Sequence, residues 1–196
     1  LPNNSNEFIL DDLVEDLQSL INHLKLKNVN LVGHSLGGQI VPAYARKNPD
    51  KTNSLVMLST AAFRTFAERK KINDLVDQMR NSGLDAVLPN LIGRWYTDDF
   101  AKKNPDIVSK RIEMIKSMNL KTFCRVFWIY ANCTMETWLH EVKSPTLIMT
   151  GSEDLGCSPR LNKIIAKSMP NARLKILKGL KHSVNTERPD IVASNI

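Results

Sequence analysis

Three residues of this chain have the types and the order that nucleophilic catalysis requires. Ser35 lies in the run GHSLG, Asp154 in the run GSED, and His182 in the run GLKHS. A free serine hydroxyl is a poor nucleophile at neutral pH, so it needs a base, and the base needs an acid that orients it. The serine, the carboxylate and the histidine therefore predict attack on a carbonyl group through a covalent intermediate.

Residues 29–38 are predicted to form a strand, a sharp turn and the start of a helix. An apolar run over residues 29–32 meets a Gly-x-Ser-x-Gly pentapeptide, and an amphipathic segment over residues 36–47 follows directly. We expect glycine to be required at Gly33 and Gly37, because a Cβ atom there would collide where strand and helix cross. Ser35 is expected to take a strained backbone conformation. The Leu36 N–H would then point toward an oxyanion at Ser35. The alternative is a glycine-rich connection with a serine that takes no part in chemistry.

The acid and the base are predicted at the ends of two further strands. Asp154 follows an apolar run that ends at Thr150, and His182 follows one that ends at Leu177. In an open parallel sheet, functional groups gather beyond the carboxyl ends of the strands, and serine, acid, histidine is the chain order expected for this kind of turn. Glu153 is an alternative acid. His34 is expected to pack or to hydrogen-bond locally, and the helical residues His23 and His140 are expected at the surface.

The spacing of apolar residues places these segments in an alternating α/β pattern with a helical insertion. One amphipathic helix is predicted over residues 10–24, a second strand over 55–58, and then helices alone over about 66–81, 84–96, 106–118 and 120–138. Strands return over 146–149 and 173–177, with a helix from Ser158 between them. We therefore predict a partial parallel sheet of about four strands flanked by helices, with a core of residues 1–61 and 141–196 and an all-helical cap of residues 62–140.

Composition excludes several classes of protein. The chain has 196 residues, 42% of them hydrophobic, and its apolar runs are far shorter than a bilayer requires. Its net charge of +7 comes from scattered lysines and arginines, which predicts a solvated basic surface and no nucleic-acid or membrane partner. Three cysteines without a C-x-x-C pair predict reduced thiols in a cytoplasmic protein, and four histidines without ligand spacing predict no metal and no cofactor.

The combination of motifs resembles the α/β-hydrolase family over nearly the whole chain. The run GHSLGG from Gly33 is similar to the family's nucleophile turn, the run SPTLIMTGSED from Ser144 to its acid strand and loop, and the runs HSV and ERP after Lys181 to its histidine segment. The resemblance implies a Ser35, Asp154, His182 triad, with the Leu36 N–H as an oxyanion donor. A serine nucleophile argues against haloalkane dehalogenases and epoxide hydrolases, which use aspartate at that position.

A finer resemblance concerns the cap. The run IGRWYTDDF from Ile92 is similar to the lid of 3-oxoadipate enol-lactonases and related carboxylic-ester hydrolases. It implies that Arg94 or Trp95 faces the pocket, where a basic residue would suit a dicarboxylate substrate. The alternative for Arg94 and Trp95 is an ordinary amphipathic lid helix with a buried indole.

The chain also departs from the family pattern, because residues 1–34 hold a polar start and one helix where the family has several strands and a second oxyanion donor. We therefore expect a fragment of a longer hydrolase, with the first strand exposed as a sheet edge. The predicted function is hydrolysis of a small carboxylic ester or lactone through an acyl-enzyme, weak or absent in the isolated piece. The alternatives are a carbon–carbon bond hydrolase of the same fold and a non-catalytic, ligand-binding remnant.

Overall fold

The computed structural model describes residues 8–196, which form a sheet of four strands, each parallel to its neighbour. The strands follow one another across the sheet in chain order: β1 (Val29–His34), β2 (Thr52–Leu58), β3 (Thr146–Gly151) and β4 (Ala172–Leu177). This confirms the predicted parallel sheet of about four strands. All four strands end at the same edge, where His34 pairs with Leu58, and Gly151 pairs with Leu177.

Helices cover both faces of this sheet. Five helices lie outside the segment between β2 and β3 and flank the sheet: α1 (Leu10–His23), α2 (Gly37–Lys47), α8 (Pro159–Ser168), α9 (Val184–Glu187) and α10 (Pro189–Asn195). Every residue of β3 is buried, because one apolar cluster packs on each face of the sheet around Ile148 and Met149. Within the described residues β1 pairs with β2 alone, and Val32 is 50% exposed, in agreement with the expected sheet edge.

The residues between β2 and β3 form helices and turns without a strand. The helices are α3 (Phe66–Ser82), α4 (Leu88–Trp95), α5 (Asp98–Lys103), α6 (Pro105–Lys116) and α7 (Leu120–Asn132), with 3-10 turns at Leu84–Ala86, Met135–Thr137 and Leu139–Glu141. A further 3-10 turn, Pro49–Lys51, lies between α2 and β2. Four of these helices share an apolar cluster that includes Met79, Leu91, Ile115 and Phe123. The boundaries proposed for core and cap stay predictions, and residues 1–7 of that core lie outside the described residues.

Several helices differ from their predictions, and α9 and α10, which follow the last strand, were not predicted. The helix predicted to reach residue 138 ends at Asn132, because Cys133 takes an extended conformation (φ −61°, ψ 131°) that stops the helical hydrogen bonding. The short helix α5 was not predicted. It begins where the Thr97 hydroxyl accepts the Phe100 N–H, and it ends at Asn104 because Pro105 starts a new helix. No helix within residues 8–196 is long and apolar enough to cross a membrane.

Candidate active site

Ser35 occupies a strained turn between β1 and α2. Its φ of +57° is in the left-handed region. This conformation is unfavourable for any residue with a side chain, so it persists only where the surroundings enforce it. Two hydrogen bonds enforce it: the Ser35 N–H donates to Leu58 O (2.8 Å), and the Thr60 hydroxyl donates to Ser35 O (2.9 Å). The end of β2 therefore helps to fix the serine.

The close approach of strand and helix requires glycine at two positions. A Cβ on Gly33 would lie 2.1 Å from Gly37 O, and a Cβ on Gly38 would lie 2.6 Å from the Thr60 Cβ. The expectation for Gly33 is therefore confirmed. The expectation for Gly37 is wrong, because a Cβ there would meet no atom within 4 Å. Gly38 takes that role because its Cα, one residue later, faces the side chain of Thr60.

Asp154 and His182 meet at the ends of β3 and β4. Asp154 Oδ2 lies 2.8 Å from His182 Nδ1, and Asp154 Oδ1 accepts the N–H groups of Gly156 (2.9 Å) and Cys157 (2.8 Å). The two loops can approach because position 151 is glycine, where a Cβ would lie 2.1 Å from Leu180 O. An ionised carboxylate can only accept, so His182 Nδ1 donates and Nε2 is left as the acceptor. Glu153, the alternative acid, is exposed.

The pKa values of Asp154 and His182 shift in opposite directions, so that the charged form of each is favoured. Burial raises the pKa of Asp154, but the hydrogen bond and charge of His182 and the two backbone N–H groups lower it further, so its net pKa shift is downward. Burial lowers the pKa of His182, but the neighbouring Cys157 sulfur and Asp154 carboxylate outweigh burial and raise it. The imidazole is therefore a strong proton acceptor.

His34 is a member of the site that the sequence analysis did not identify. Its Nε2 lies 3.0 Å from His182 O and therefore donates to it, and the two rings stand 4.9 Å apart between centroids. The expectation was that His34 packs or hydrogen-bonds locally: it does pack, against the His182 ring, but its hydrogen-bond partner is 148 residues away in the chain. Burial and the charge of His182 lower the pKa of His34 to about 4, so His34 is neutral at pH 7. Its position directly before Ser35, at a strand end, is the signal that could have identified it.

A cavity of about 410 Å³ opens between these strand ends and the helices of residues 66–132. Ser35, Leu36, Asp154 and His182 line its floor, and Arg94 and Trp95, of which the lid resemblance implied that one or the other faces the pocket, also line it. Its remaining lining is mostly apolar and comes from Ile72, Leu75, Leu91, Met118, Phe123, Val126, Phe127 and Tyr130. A pocket of this size, with few polar groups around a reactive side chain, suits a small organic ligand.

Two arginines bring positive charge into this cavity. Arg94 was predicted there, and Arg111 from α6 was not. The Arg111 guanidinium stands 5.5 Å from the centroid of the Trp95 ring, and its charge contributes to the lowered pKa of His34. Among residues 8–196 no carboxylate forms an ion pair with either arginine. The cavity therefore presents two positive charges to a ligand.

Cys157 lies behind the acid and the base and is fully buried. Ligand atoms of Asp154, Cys157 and His182 all lie within 4.8 Å of one another, a grouping that could hold a metal ion. Sequence spacing does not reveal this cluster, because its members are spread over 29 positions that only the fold brings together. The absence of a metal stays a prediction, and the hydrogen bond between Asp154 and His182 already uses one ligand atom of each.

Comparison with known proteins finds one family match and several similar proteins. A family model described as alpha/beta hydrolase fold matches residues 2–189. The chain is 24% identical over 187 residues to (E)-2-((N-methylformamido)methylene)succinate hydrolase of Acinetobacter baylyi, covering 93% of this chain and 69% of that protein. It is 22% identical over 180 residues to 3-oxoadipate enol-lactonase 2 of the same species, covering 92% of this chain and 66% of that protein.

A solved structure resembles the chain to a similar extent. The enol-lactonase of Burkholderia xenovorans LB400 superposes with a TM-score of 0.84 at 21% identity, covering 96% of this chain and 71% of that one. The chain thus spans about two thirds of the length of these relatives.

Proposed function

The chain belongs to the α/β hydrolase fold family, and from that premise we propose that it is a serine hydrolase acting on a small carboxylic ester or lactone. The observation that carries the proposal is the hydrogen-bonded pair of Asp154 and His182, at 2.8 Å, on the floor of the cavity that Ser35 also lines. A protein that merely binds a ligand gains nothing from a strained serine and an oriented imidazole in the lining of one cavity.

The proposed reaction runs through an acyl-enzyme. Ser35 Oγ attacks the carbonyl carbon while His182 Nε2 takes the hydroxyl proton, and Asp154 stabilises the resulting imidazolium. The oxyanion accepts the Leu36 N–H, for which residues 8–196 offer no other acceptor. Collapse breaks the bond to the leaving oxygen, which takes the proton from His182. Water then attacks the acyl group and gives its proton to His182, which passes that proton to Ser35 Oγ as the acyl bond breaks, so that the acid and free Ser35 are released.

The charge of the cavity supports a substrate that carries a carboxylate of its own. Arg94 and Arg111 have no ionic partner among the described residues, and guanidinium groups bind carboxylates well. The two Acinetobacter relatives are named for a succinate and for 3-oxoadipate, both dicarboxylic. We therefore propose an ester or lactone that also bears a free carboxylate, as an enol-lactonase-like activity would require.

Covalent labelling tests the nucleophile without requiring the natural substrate. The 196-residue chain is exposed to a small neutral fluorophosphonate and weighed by intact-mass spectrometry beside Ser35→Ala. We expect one adduct, absent in the alanine variant, because phosphonylation needs a serine activated by a base. A Ser35→Ala variant that is labelled as fast as the parent would contradict the proposal. A folded parent that stays unlabelled would favour a ligand-binding role.

A further inference from the structure

One turn of the helical insertion is hydrogen-bonded to three residues that lie close to His182 in the chain. We call residues 93–98, from the end of α4 to the start of α5, the cap turn, and residues 181–187 the histidine segment. Lys181 Nζ donates to Gly93 O (2.8 Å), and the Ser183 N–H donates to Trp95 O (2.9 Å). The Glu187 carboxylate accepts both the N–H (3.0 Å) and the hydroxyl (2.5 Å) of Thr97.

These contacts differ in their strength. The ion pair of Lys181 with Asp98 (3.0 Å) involves an aspartate side chain that is 96% exposed, so solvent screens it. Glu187 is 9% exposed, and both of its carboxylate oxygens are used by Thr97. A buried carboxylate keeps its hydrogen bonds because leaving it without partners costs far more than in water. Glu187 is therefore the firmest link between the two segments.

The link from Glu187 returns to the residue beside His182. Helix α9 is a single turn in which the Glu187 N–H donates to Ser183 O (2.9 Å), and the Ser183 N–H is bonded to the cap turn at Trp95. The Glu187 side chain, the turn of α9 and the Ser183 N–H thus form a closed ring with residues 95–97. His182, next to Ser183, is held on its other sides by His34 Nε2 at its carbonyl and by Asp154 at its Nδ1.

We propose that Glu187 is a positioning residue, which holds the cap turn against the histidine segment and thereby keeps His182 aligned with Asp154 and Ser35. The importance of that alignment for rate rests on the proposed function, but the alignment itself does not. The same ring places Arg94 and Trp95 of the cap turn at the cavity wall, so one carboxylate couples the substrate pocket to the catalytic base.

The test compares Glu187→Ala, Glu187→Gln and a control, Asp190→Ala, which removes an exposed carboxylate three residues away. The first readout is the far-downfield proton resonance of His182 Nδ1–H and its rate of exchange with water, which reports the bond to Asp154 whether or not the protein is an enzyme. The second readout is the rate of fluorophosphonate labelling at Ser35.

We expect Glu187→Ala to speed the exchange and to slow labelling, each about tenfold, which corresponds to about 1.4 kcal/mol. Glu187→Gln should recover part of both, because its amide oxygen still accepts the Thr97 N–H, and Asp190→Ala should change neither. A folded Glu187→Ala protein with the parent's exchange and labelling rates would overturn the proposal, as would a parent without the resonance.

Two further comparisons keep the outcome decisive. If Glu187→Ala does not fold, Thr97→Val is compared with Thr97→Ser. The valine removes the hydroxyl that donates to Glu187, whereas the serine keeps a hydroxyl, and the carboxylate is present in both. Equal exchange rates in these two variants would overturn the proposal. An unlabelled parent whose resonance still responds to Glu187→Ala would refute the serine hydrolase and leave the positioning role standing.

Discussion

Replacement of Asp154 by asparagine separates the charge of the acid from its shape. Asp154 Oδ1 accepts two backbone N–H groups, from Gly156 and Cys157, and Oδ2 accepts from His182 Nδ1. In Asp154→Asn the amide oxygen must face the two N–H groups, because the reverse orientation leaves both without an acceptor at about 1–3 kcal/mol each. The amide NH₂ then faces His182 Nδ1, which has to be unprotonated to accept it.

The consequence is the wrong tautomer of the base. With its proton on Nε2, His182 cannot take the proton of Ser35, and a change of this kind in a serine triad costs about 10⁴ in rate, or about 5.4 kcal/mol. The fold should survive, since both backbone hydrogen bonds at Oδ1 are kept. Asp154→Ala would be a poorer experiment because it leaves two buried N–H groups without acceptors.

The assay is the second-order rate of fluorophosphonate labelling for the parent, Asp154→Asn and Glu153→Gln, with thermal unfolding to verify the fold. Glu153→Gln is the matched control, because it removes a neighbouring carboxylate that is exposed. We expect the parent's rate for Glu153→Gln. A folded Asp154→Asn protein that is labelled within tenfold of the parent's rate, or a Glu153→Gln protein that is not labelled, would refute this reasoning.

Three other perturbations have directions fixed by the structure. Gly33→Ala should destabilise the fold by about 1–3 kcal/mol and abolish labelling, as thermal unfolding and mass spectrometry would report, because the new Cβ meets Gly37 O at 2.1 Å. Arg111→Gln should raise KM about tenfold to a hundredfold for a carboxylate-bearing ester and leave KM for its neutral methyl ester unchanged. The control is Lys110→Gln, at an exposed neighbouring position. Equal effects of Arg111→Gln on both esters would contradict the carboxylate site. Because folding lowers the pKa of His34 from 6.5 to about 4, the unfolded chain takes up that proton first, and stability is lost as pH falls through this range. His34 should thus lower the free energy of unfolding by about 2 kcal/mol between pH 7 and pH 5. Denaturant unfolding at both pH values should therefore show a smaller loss of stability in His34→Gln than in the parent, and an equal loss would contradict this prediction.

Local pattern determined the elements that carry the site. An apolar run ending in Gly-x-Ser-x-Gly specifies strand, turn and helix within ten residues, so Ser35 and its turn could be identified without tertiary information. Strand ends could be located in the same way, and since parallel strands end at one edge, Asp154 and His182 could be brought near Ser35 by topology alone. The four parallel strands follow from the same periodicity.

Tertiary packing decided the rest, because it depends on contacts between residues far apart in the chain. The bond of His34 to His182 spans 148 positions, and that of Thr97 to Glu187 spans 90, so neither leaves a periodic signal in the sequence. Arg111 looks like any cation on an exposed helix until the fold turns α6 toward the cavity. The requirement for glycine at position 38, rather than 37, depends on which Cα faces Thr60. The sequence by itself thus determined which groups could react, and the tertiary structure decided which residues hold them in place and which charges face the cavity.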